Sequence, residues 1–461
     1  MPGKPTSAPI WAGPFLHGLA ARWRLSTPSA LPTSCSAATN WWPATARASR
    51  CRVACARRRP GANASTQWPP DVRNPHRDQI LMKRTCFDAG MEQFRDSARK
   101  FFAGEIAPHR ERWREASVVD REAFRKAGEM GYLCMWIDEC HGGLGLKDLR
   151  YEQILIEENI FHGDRGFFFW LHSRLVAPYL EHFGTDEQKQ RYFPGIRSGE
   201  QILAIAMTEP DAGSDLAGMK TRAEETGDYW VLNGSKTYIS NGLNADVVLV
   251  AARTHPTKAH GLTLFLVERG MEGFERGRNL RKMGLKSQDT AELFFHDVKI
   301  PKSHVLGQVH AGFQHLMRGL AEERLLAAIF NVASARLAMH LTCDFVRERK
   351  VFGKPLSSFQ NTRFKLAALD TEIEVAQSWV DRLVAEHNAD QLDAVDAARA
   401  KLFTSELNGR MVDEGVQQHG GAGYMDEYEI CRLYQDERIH RILAGTSEIM
   451  KEIVARSILD T

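Results

Sequence analysis

The chain has 461 residues, of which 43% are hydrophobic and 26% charged, an ordinary globular composition spread over a length that suits two or three domains better than one core. Its formal charge of +2 hides an asymmetry, because residues 1–70 carry nine Lys or Arg and no Asp or Glu, leaving residues 71–461 with a net charge near −7. That removes the electrostatic case for a nucleic-acid partner, and no apolar run approaches the roughly 18 residues of a membrane span.

The leading segment, residues 1–81, contains Trp11, Trp23, Trp41, Trp42 and Trp68, many prolines, and Cys35, Cys51 and Cys55. It has neither a helical nor a strand period, and it reads as an extension rather than a folded domain. Two origins fit: an Arg-rich, acid-free transit peptide, or an upstream stretch translated from a start assigned too early. The second is favoured, because Pro2, Pro5, Pro9 and Pro14 would break the amphipathic helix of a transit peptide. The Cys51 and Cys55 pair has no second Cys or His pair nearby, so no metal site is expected. The five later cysteines are scattered and read as reduced thiols.

From Met91 to about Ile205 the pattern is helical, as in Phe94, Ala98, Phe101 and Phe102, with a loop at 142–148, and the helical domain is expected at 82–205. At residue 206 the period changes. AMTEPDAGSDLAG (206–218) closes an apolar run with a turn in which Gly213 and Gly218 permit positive φ, while Thr208, Ser214 and Asp215 offer short polar side chains. Short strands follow in YWVLNGSKTYIS, with Asn233 and Gly234 as a hairpin turn, then in DVVLVAAR, GLTLFLVE and AELFFHDVKI. A β domain at 206–308 results. Helical periodicity resumes at Gly312 and runs to the end of a third domain, 309–461, through loops at 352–358 and 419–428. The expected class is therefore α+β multidomain, and the absence of GxGxxG and GxxxxGK loops argues against Rossmann and P-loop folds.

One carboxylate stands where helical phase predicts an apolar residue. Leu316, Leu320, Glu323 and Ala327 follow a single stripe, and Glu322 points elsewhere. On phase alone, Glu323 reads first as the partner of a nearby Arg. His260 and His419 show no metal-ligand spacing and are given no catalytic role.

The stretch AMTEPDAGSDLAG resembles the first signature of the acyl-CoA dehydrogenase family, and QQHGGAGYMDEYEICRLYQDERIHRILAGTSEIM (417–450) resembles its C-terminal signature. The resemblance covers about residues 82–461, and GRNLRKMGLKSQDTAELFF and EIMKEIVARSI look most like the long-chain-specific branch. It implies an N-terminal helical domain, a middle β domain and a C-terminal helical bundle, with FAD as cofactor. Most members place a catalytic Glu before the GT of the C-terminal signature, where this chain has Ala444. Long-chain and isovaleryl-type members instead carry the base in a helix motif resembling LxxERL, here LAEERL, which aligns Glu323 with the base.

The same resemblance assigns Met207, Thr208, Gly213, Ser214, Tyr238, Ile239, Ser240, Thr446 and Ser447 to the flavin. It assigns Arg349, Gln360, Gln417, Gly420 and Gly421 to the adenine dinucleotide of a neighbouring subunit. Ser214, Arg324 and Gly445 would meet the acyl-CoA substrate, and Glu209 would fix the turn through backbone hydrogen bonds. Tyr238 stands where the family usually has Trp. The implied reaction is α,β-dehydrogenation of an acyl-CoA thioester to the trans-2-enoyl-CoA. Glu323 would take the α proton, flavin N5 would take the β hydride, and the Glu323 amide would help hold the carbonyl. Implied partners are an electron-transferring flavoprotein and further copies of the chain in a homotetramer. The expected location is the bacterial cytoplasm, or the mitochondrial matrix if residues 1–81 are a transit peptide. Other readings are a branched short-chain (isovaleryl-like) dehydrogenase, an acyl-CoA oxidase, and a non-catalytic flavin-binding protein of the same fold.

Overall fold

A computed structural model of the protein describes residues 84–258 and 260–459. The extension at 1–81, with its tryptophans and the Cys51 and Cys55 pair, lies outside the described residues.

The first third is helical. Helix α1 (Ala89–Phe101) begins where the Asp88 carboxylate accepts the Met91 amide at 2.8 Å, satisfying a donor that the helix itself cannot. It buries Met91, Ala98 and Phe101. There follow α2 (Arg110–Ala116), α3 (Arg121–Glu129), α4 (Leu149–His162), α5 (Ala177–Phe183) and α6 (Asp186–Ser198), the last opened by a Thr185/Gln188 capping box. The loop at 142–148 sits where expected, ahead of α4. A π-helical segment, Leu171–Val176, turns His172, Ser173 and Arg174 into the interior. His172 accepts the Leu203 amide on Nδ1 at 3.1 Å. That assigns the proton to Nε2, which donates to the Ile196 carbonyl at 2.9 Å. The imidazole thus ties the helices to the first strand.

The middle third contains β1 (Leu203–Ala206), β2 (Arg222–Thr226), β3 (Tyr229–Ser240), β4 (Val247–Arg253), β5 (Leu262–Glu268), β6 (Phe274–Asn279), β7 (Thr290–Pro301) and β8 (Val305–Leu306). They form one sheet in the order β6-β7-β3-β2-β4-β5-β8, with β1 parallel to β4. Side chains alternate across a strand, so Val247, Leu249 and Ala251 of β4 pack towards the helices, while Val248, Val250 and Ala252 join Trp230 and Phe265 in a separate core.

The hairpin expected at Asn233 and Gly234 is not formed. Both residues lie inside β3, and the β2–β3 turn is made instead at Thr226–Tyr229. Gly234 has a φ of +143°, and a Cβ there would lie 2.5 Å from Thr221 Oγ1. The glycine marks a close approach and a register shift, which a sequence cannot distinguish from a turn. Nor do Gly213 and Gly218 adopt positive φ.

The last third is the longest helix, α7 (Gly312–Glu348), a small hairpin of β9 (Lys350–Val351) and β10 (Lys354–Pro355), then α8 (Gln360–Asn388), α9 (Ala394–His419), α10 (Glu429–Glu437) and α11 (Ser447–Leu459). By length and composition α7 could cross a membrane, but 83% of its apolar window is buried. Its neighbours in the fold are α4, α8 and α9. The expectation that no apolar run approached membrane-spanning length therefore needs this amendment.

All three parts meet at a buried ionic junction. Arg165 lies 2.5 Å from Glu429 and 2.8 Å from Asp436, Asp436 also accepts the Leu285 amide at 2.5 Å, and Ser287 donates to Asp164 at 2.5 Å. The five cysteines among the described residues are free thiols.

Candidate functional site

The turn after β1 is built around Glu209. Its carboxylate accepts the amides of Lys220 at 2.6 Å and Thr221 at 3.0 Å, and the Lys236 ammonium at 2.8 Å. Lys236 also donates to the Met207 carbonyl at 3.0 Å. Burial opposes the charge on Glu209, but Lys236 and the amides outweigh it and hold the carboxyl below its ordinary range. Burial pushes the Lys236 ammonium down to about 8. An ionised, fully committed carboxylate is a fastener, as the sequence suggested.

This turn and the end of β3 form one patch, because the Thr237 amide donates to the Thr208 carbonyl at 2.9 Å. A bulge between Lys236 and Ile239 gives Tyr238 a φ of +60° and leaves it 69% exposed, while Ile239 is buried and Ser240 half-buried. A bulky residue in the left-handed region is costly, and here it lifts an aromatic face off the sheet. Gly213 and Ser214 are exposed, and a Cβ on Gly213 would meet nothing within 4 Å. Met207 packs against the helical core.

Glu323 lies a third of the way along α7, half-buried, with no hydrogen bond or ion pair to its carboxylate among the described residues. The reading of Glu323 as the partner of a nearby Arg is thus not realised. Burial pushes its pKa up to about 7 against the opposing charges of Arg324 and Lys401. Its neighbour Glu322 faces elsewhere, 2.9 Å from Arg174 and 3.0 Å from His387, and these partners outweigh burial to hold it below its ordinary value. Adjacent carboxylates driven in opposite directions are a mark of acid–base chemistry. Arg324 is buried without an ion pair, and its Nε has no partner. The Glu323 amide lies within continuous α7, where the bond four residues back consumes it. It is therefore not free to hold a carbonyl, contrary to expectation.

The C-terminal signature folds as a strained turn. Ala444 and Gly445 have φ of +56° and +93°, and neither amide donates to a described residue. Thr446 Oγ1 accepts the Ile449 amide at 3.2 Å, capping α11, while the buried Ser447 hydroxyl has no partner. The Gly445 carbonyl accepts Lys401 Nζ of α9 at 2.6 Å. Lys401 escaped the sequence reading, although Ala397, Lys401, Thr404 and Asn408 follow a buried helical stripe on which the phase argument used for Glu323 would have found it. His440, also missed, stacks on Phe330 at 4.4 Å, and burial pushes its pKa down to about 3.

A third group gathers at the far end of the bundle. Thr362 at the start of α8 donates to Gln418 of α9 at 3.0 Å, and Phe345 of α7 stacks on His419 at 4.1 Å. Arg349, Gln360, Gln417, Gly420 and Gly421 are exposed there, and a Cβ on either glycine would meet nothing within 4 Å. From Glu323 to the end of α7 is roughly 37 Å at ~1.5 Å per residue, so this group and Glu323 cannot share one cofactor of the same chain. His419 is a core residue bonded to the Gly415 carbonyl, and His260 packs on Phe313.

Three family descriptions match the chain in order: acyl-CoA dehydrogenase N-terminal domain at 89–200, middle domain at 204–298 and C-terminal domain at 310–459. The chain is 45% identical to the mitochondrial long-chain specific acyl-CoA dehydrogenase of Rattus norvegicus over 379 residues, 82% of this chain and 88% of that one. It is 35% identical to the mitochondrial isovaleryl-CoA dehydrogenase of Solanum tuberosum over 393 residues, 84% and 95% of the two chains. A crystal structure of an acyl-CoA dehydrogenase from Geobacillus kaustophilus superposes with a TM-score of 0.80 at 43% identity, covering 82% of this chain and all of that one. The protein belongs to the acyl-CoA dehydrogenase family of FAD-dependent oxidoreductases.

Proposed function

We propose that the protein removes two hydrogens across the α and β carbons of an acyl-CoA thioester, with Glu323 as the base that takes the α proton, and that long straight chains are its substrates. The observation carrying this is the unpaired Glu323 carboxylate with its pKa pushed up to about 7 beside an ionised Glu322. A base poised near neutrality combines a useful ionised fraction with proton affinity. Ala444 leaves no carboxylate at the C-terminal turn, so Glu323 has no competitor there.

The residues present fit FAD. Tyr238 offers a raised aromatic face, Thr208 and the unpartnered Ser447 hydroxyl offer hydrogen bonds, and Gly213 leaves room for close approach. When bound, FAD supplies the acceptor for the hydride leaving the β carbon. The free amides of Ala444 and Gly445 are the donors we assign to the thioester carbonyl, which lowers the cost of charge developing on its oxygen as the α proton leaves. Arg324 and Ser214 are assigned to the substrate.

The distant group at Arg349, Gln360, Gln417, Gly420 and Gly421 is assigned to the flavin of a second copy. Arginine offers a fixed fork of donors for a pyrophosphate. That makes the site complete only in an oligomer, for which we propose a homotetramer handing electrons to an electron-transferring flavoprotein. The domain limits 82–205, 206–308 and 309–461 go with this reading. A cytoplasmic location follows if residues 1–81 are not a transit peptide, which N-terminal peptide mapping decides.

The test is anaerobic flavin bleaching with short, medium and long straight-chain acyl-CoAs and a branched five-carbon one. Glu323→Gln is expected to retain FAD and not bleach with any of them. Full bleaching by that variant overturns the base assignment, and fastest bleaching with the branched thioester overturns the chain-length assignment.

A further inference from the structure

We propose that Lys401 is a positioning residue with two linked actions: its ammonium group pins the left-handed Ala444–Gly445 turn that presents Thr446 and Ser447, and from α9, which packs along α7, it supplies the buried positive charge on the Glu323 side of that interface. The proposal rests on the reading of Glu323 as the base.

Geometry comes first. Lys401 projects from α9, is fully buried, and places Nζ 2.6 Å from the Gly445 carbonyl. That carbonyl belongs to a turn in which two successive residues, one of them an alanine, have positive φ. For a non-glycine residue this conformation is costly and persists only where surroundings impose it. A charge-assisted bond from a rigid helix is such a constraint. It acts one residue before Thr446 caps α11 and two before the buried, unpartnered Ser447 hydroxyl.

The charge then has nowhere else to go. Lys401 makes no ion pair among the described residues. The charged and titratable groups that face it are Glu323 and Arg324 from α7, Glu448 from α11, and His440 from the turn before Ala444. His440 is held neutral by burial, Glu448 is exposed, and Arg324 repels, so the half-buried Glu323 is the anion that Lys401 sees. Burial lowers Lys401 to about 8 while Glu323 opposes that shift, and Lys401 in turn opposes the rise of Glu323. A lysine that merely filled space would be replaceable by methionine. One that holds a carbonyl and biases a base through separate features can have each feature removed separately.

The experiment uses FAD-loaded Lys401→Gln, Lys401→Met and Lys401→Arg, reading FAD content and the pH dependence of anaerobic bleaching by a saturating acyl-CoA. Gln keeps a donor for the Gly445 carbonyl without the charge. It is expected to hold FAD and to move the rising limb of the rate up by about one pH unit, lowering the rate at pH 7 by about fivefold. Met, with neither feature, is expected to show the same limb and at least tenfold weaker FAD retention, whereas Arg should restore the wild-type limb. A wild-type limb in Lys401→Gln overturns the electrostatic action, and wild-type FAD retention in Lys401→Met overturns the pinning action. If Lys401→Met does not fold, retention of FAD by Lys401→Gln and Lys401→Arg supports pinning, and its loss in both overturns it. Glu323→Gln is run alongside. Bleaching by that variant defeats the base reading itself, whereas an inactive Glu323→Gln with an unmoved limb in Lys401→Gln defeats only the electrostatic action of Lys401.

Discussion

Replacing Glu323 with glutamine should make the protein more stable while abolishing its reaction, and the gain should depend on pH. The carboxyl titrates near its ordinary value of 4.5 in the unfolded chain and near 7 in the fold, chiefly through burial. The unfolded state therefore releases its proton first, and folding stability falls as pH rises from 4.5 to 7, then stays at the lower level. A shift of about 2.5 units at ~1.4 kcal/mol each puts the cost at up to about 3 kcal/mol above pH 7. Glutamine imitates the protonated acid and removes that cost. At pH 8 the variant should melt higher by about 3 °C, taking roughly 1 kcal/mol per degree for an unfolding entropy proportional to a chain of this length. At pH 4.5 most of the difference should vanish, because the wild-type carboxyl is then neutral as well. The assay is a thermal unfolding series of both FAD-loaded proteins from pH 4.5 to 8, paired with anaerobic bleaching. An equal difference at both ends of the range, or a variant less stable at pH 8, refutes the claim that Glu323 is held in a charge-hostile site. Stability gained where function is lost is the expected signature of such a group.

Glu209→Gln leaves the buried Lys236 ammonium without its counter-ion, so a loss of about 3–5 kcal/mol in denaturant unfolding and a drop in FAD content are expected. Gly234→Ala forces a Cβ to 2.5 Å from Thr221 Oγ1 at a φ of +143°. It should destabilise the β domain by about 2 kcal/mol or more, and a wild-type midpoint would contradict the close approach. On the acid side His172, pushed by burial from 6.5 to about 4, contributes stability that is complete above pH 6.5 and lost as pH falls to about 4, about 3 kcal/mol in all. Measured as the difference between the wild-type protein and His172→Gln, which cancels the opposing contributions of Glu323 and of the buried Glu152, itself pushed up to about 8, the wild-type melting advantage should decline across that window. A flat profile would exclude a neutral buried His172. Arg349→Ala, far from Glu323 in its own chain, should lower FAD content and return to normal when mixed subunits supply an intact Arg349 to the partner's site.

Much of this molecule is written in local pattern. The change from helical to strand pattern, which the fold places at Leu203 and not at 206, the return at Gly312, and the strands Val247–Arg253 and Leu262–Glu268, short apolar runs buried on both faces, follow from the order of neighbouring residues. Glu323 was legible for the same reason, as a carboxylate in an apolar stripe, although the stripe alone favoured an arginine partner that the fold does not provide. Glu209 was correctly set aside as a turn fastener. Contacts between distant segments were not legible. Asn233 and Gly234 carry the signature of a hairpin, yet Thr221, the residue before β2, lies against the glycine, and β3 continues through the pair with a register shift. Whether Glu322 or Glu323 keeps its proton depends on Arg174 and His387 arriving from two other helices at one residue and not its neighbour. Lys401 finds the Gly445 carbonyl 44 residues away. Periodicity reports which way a side chain points. Desolvation and charge pairing, which set what that side chain can do, depend on which segments fold against it.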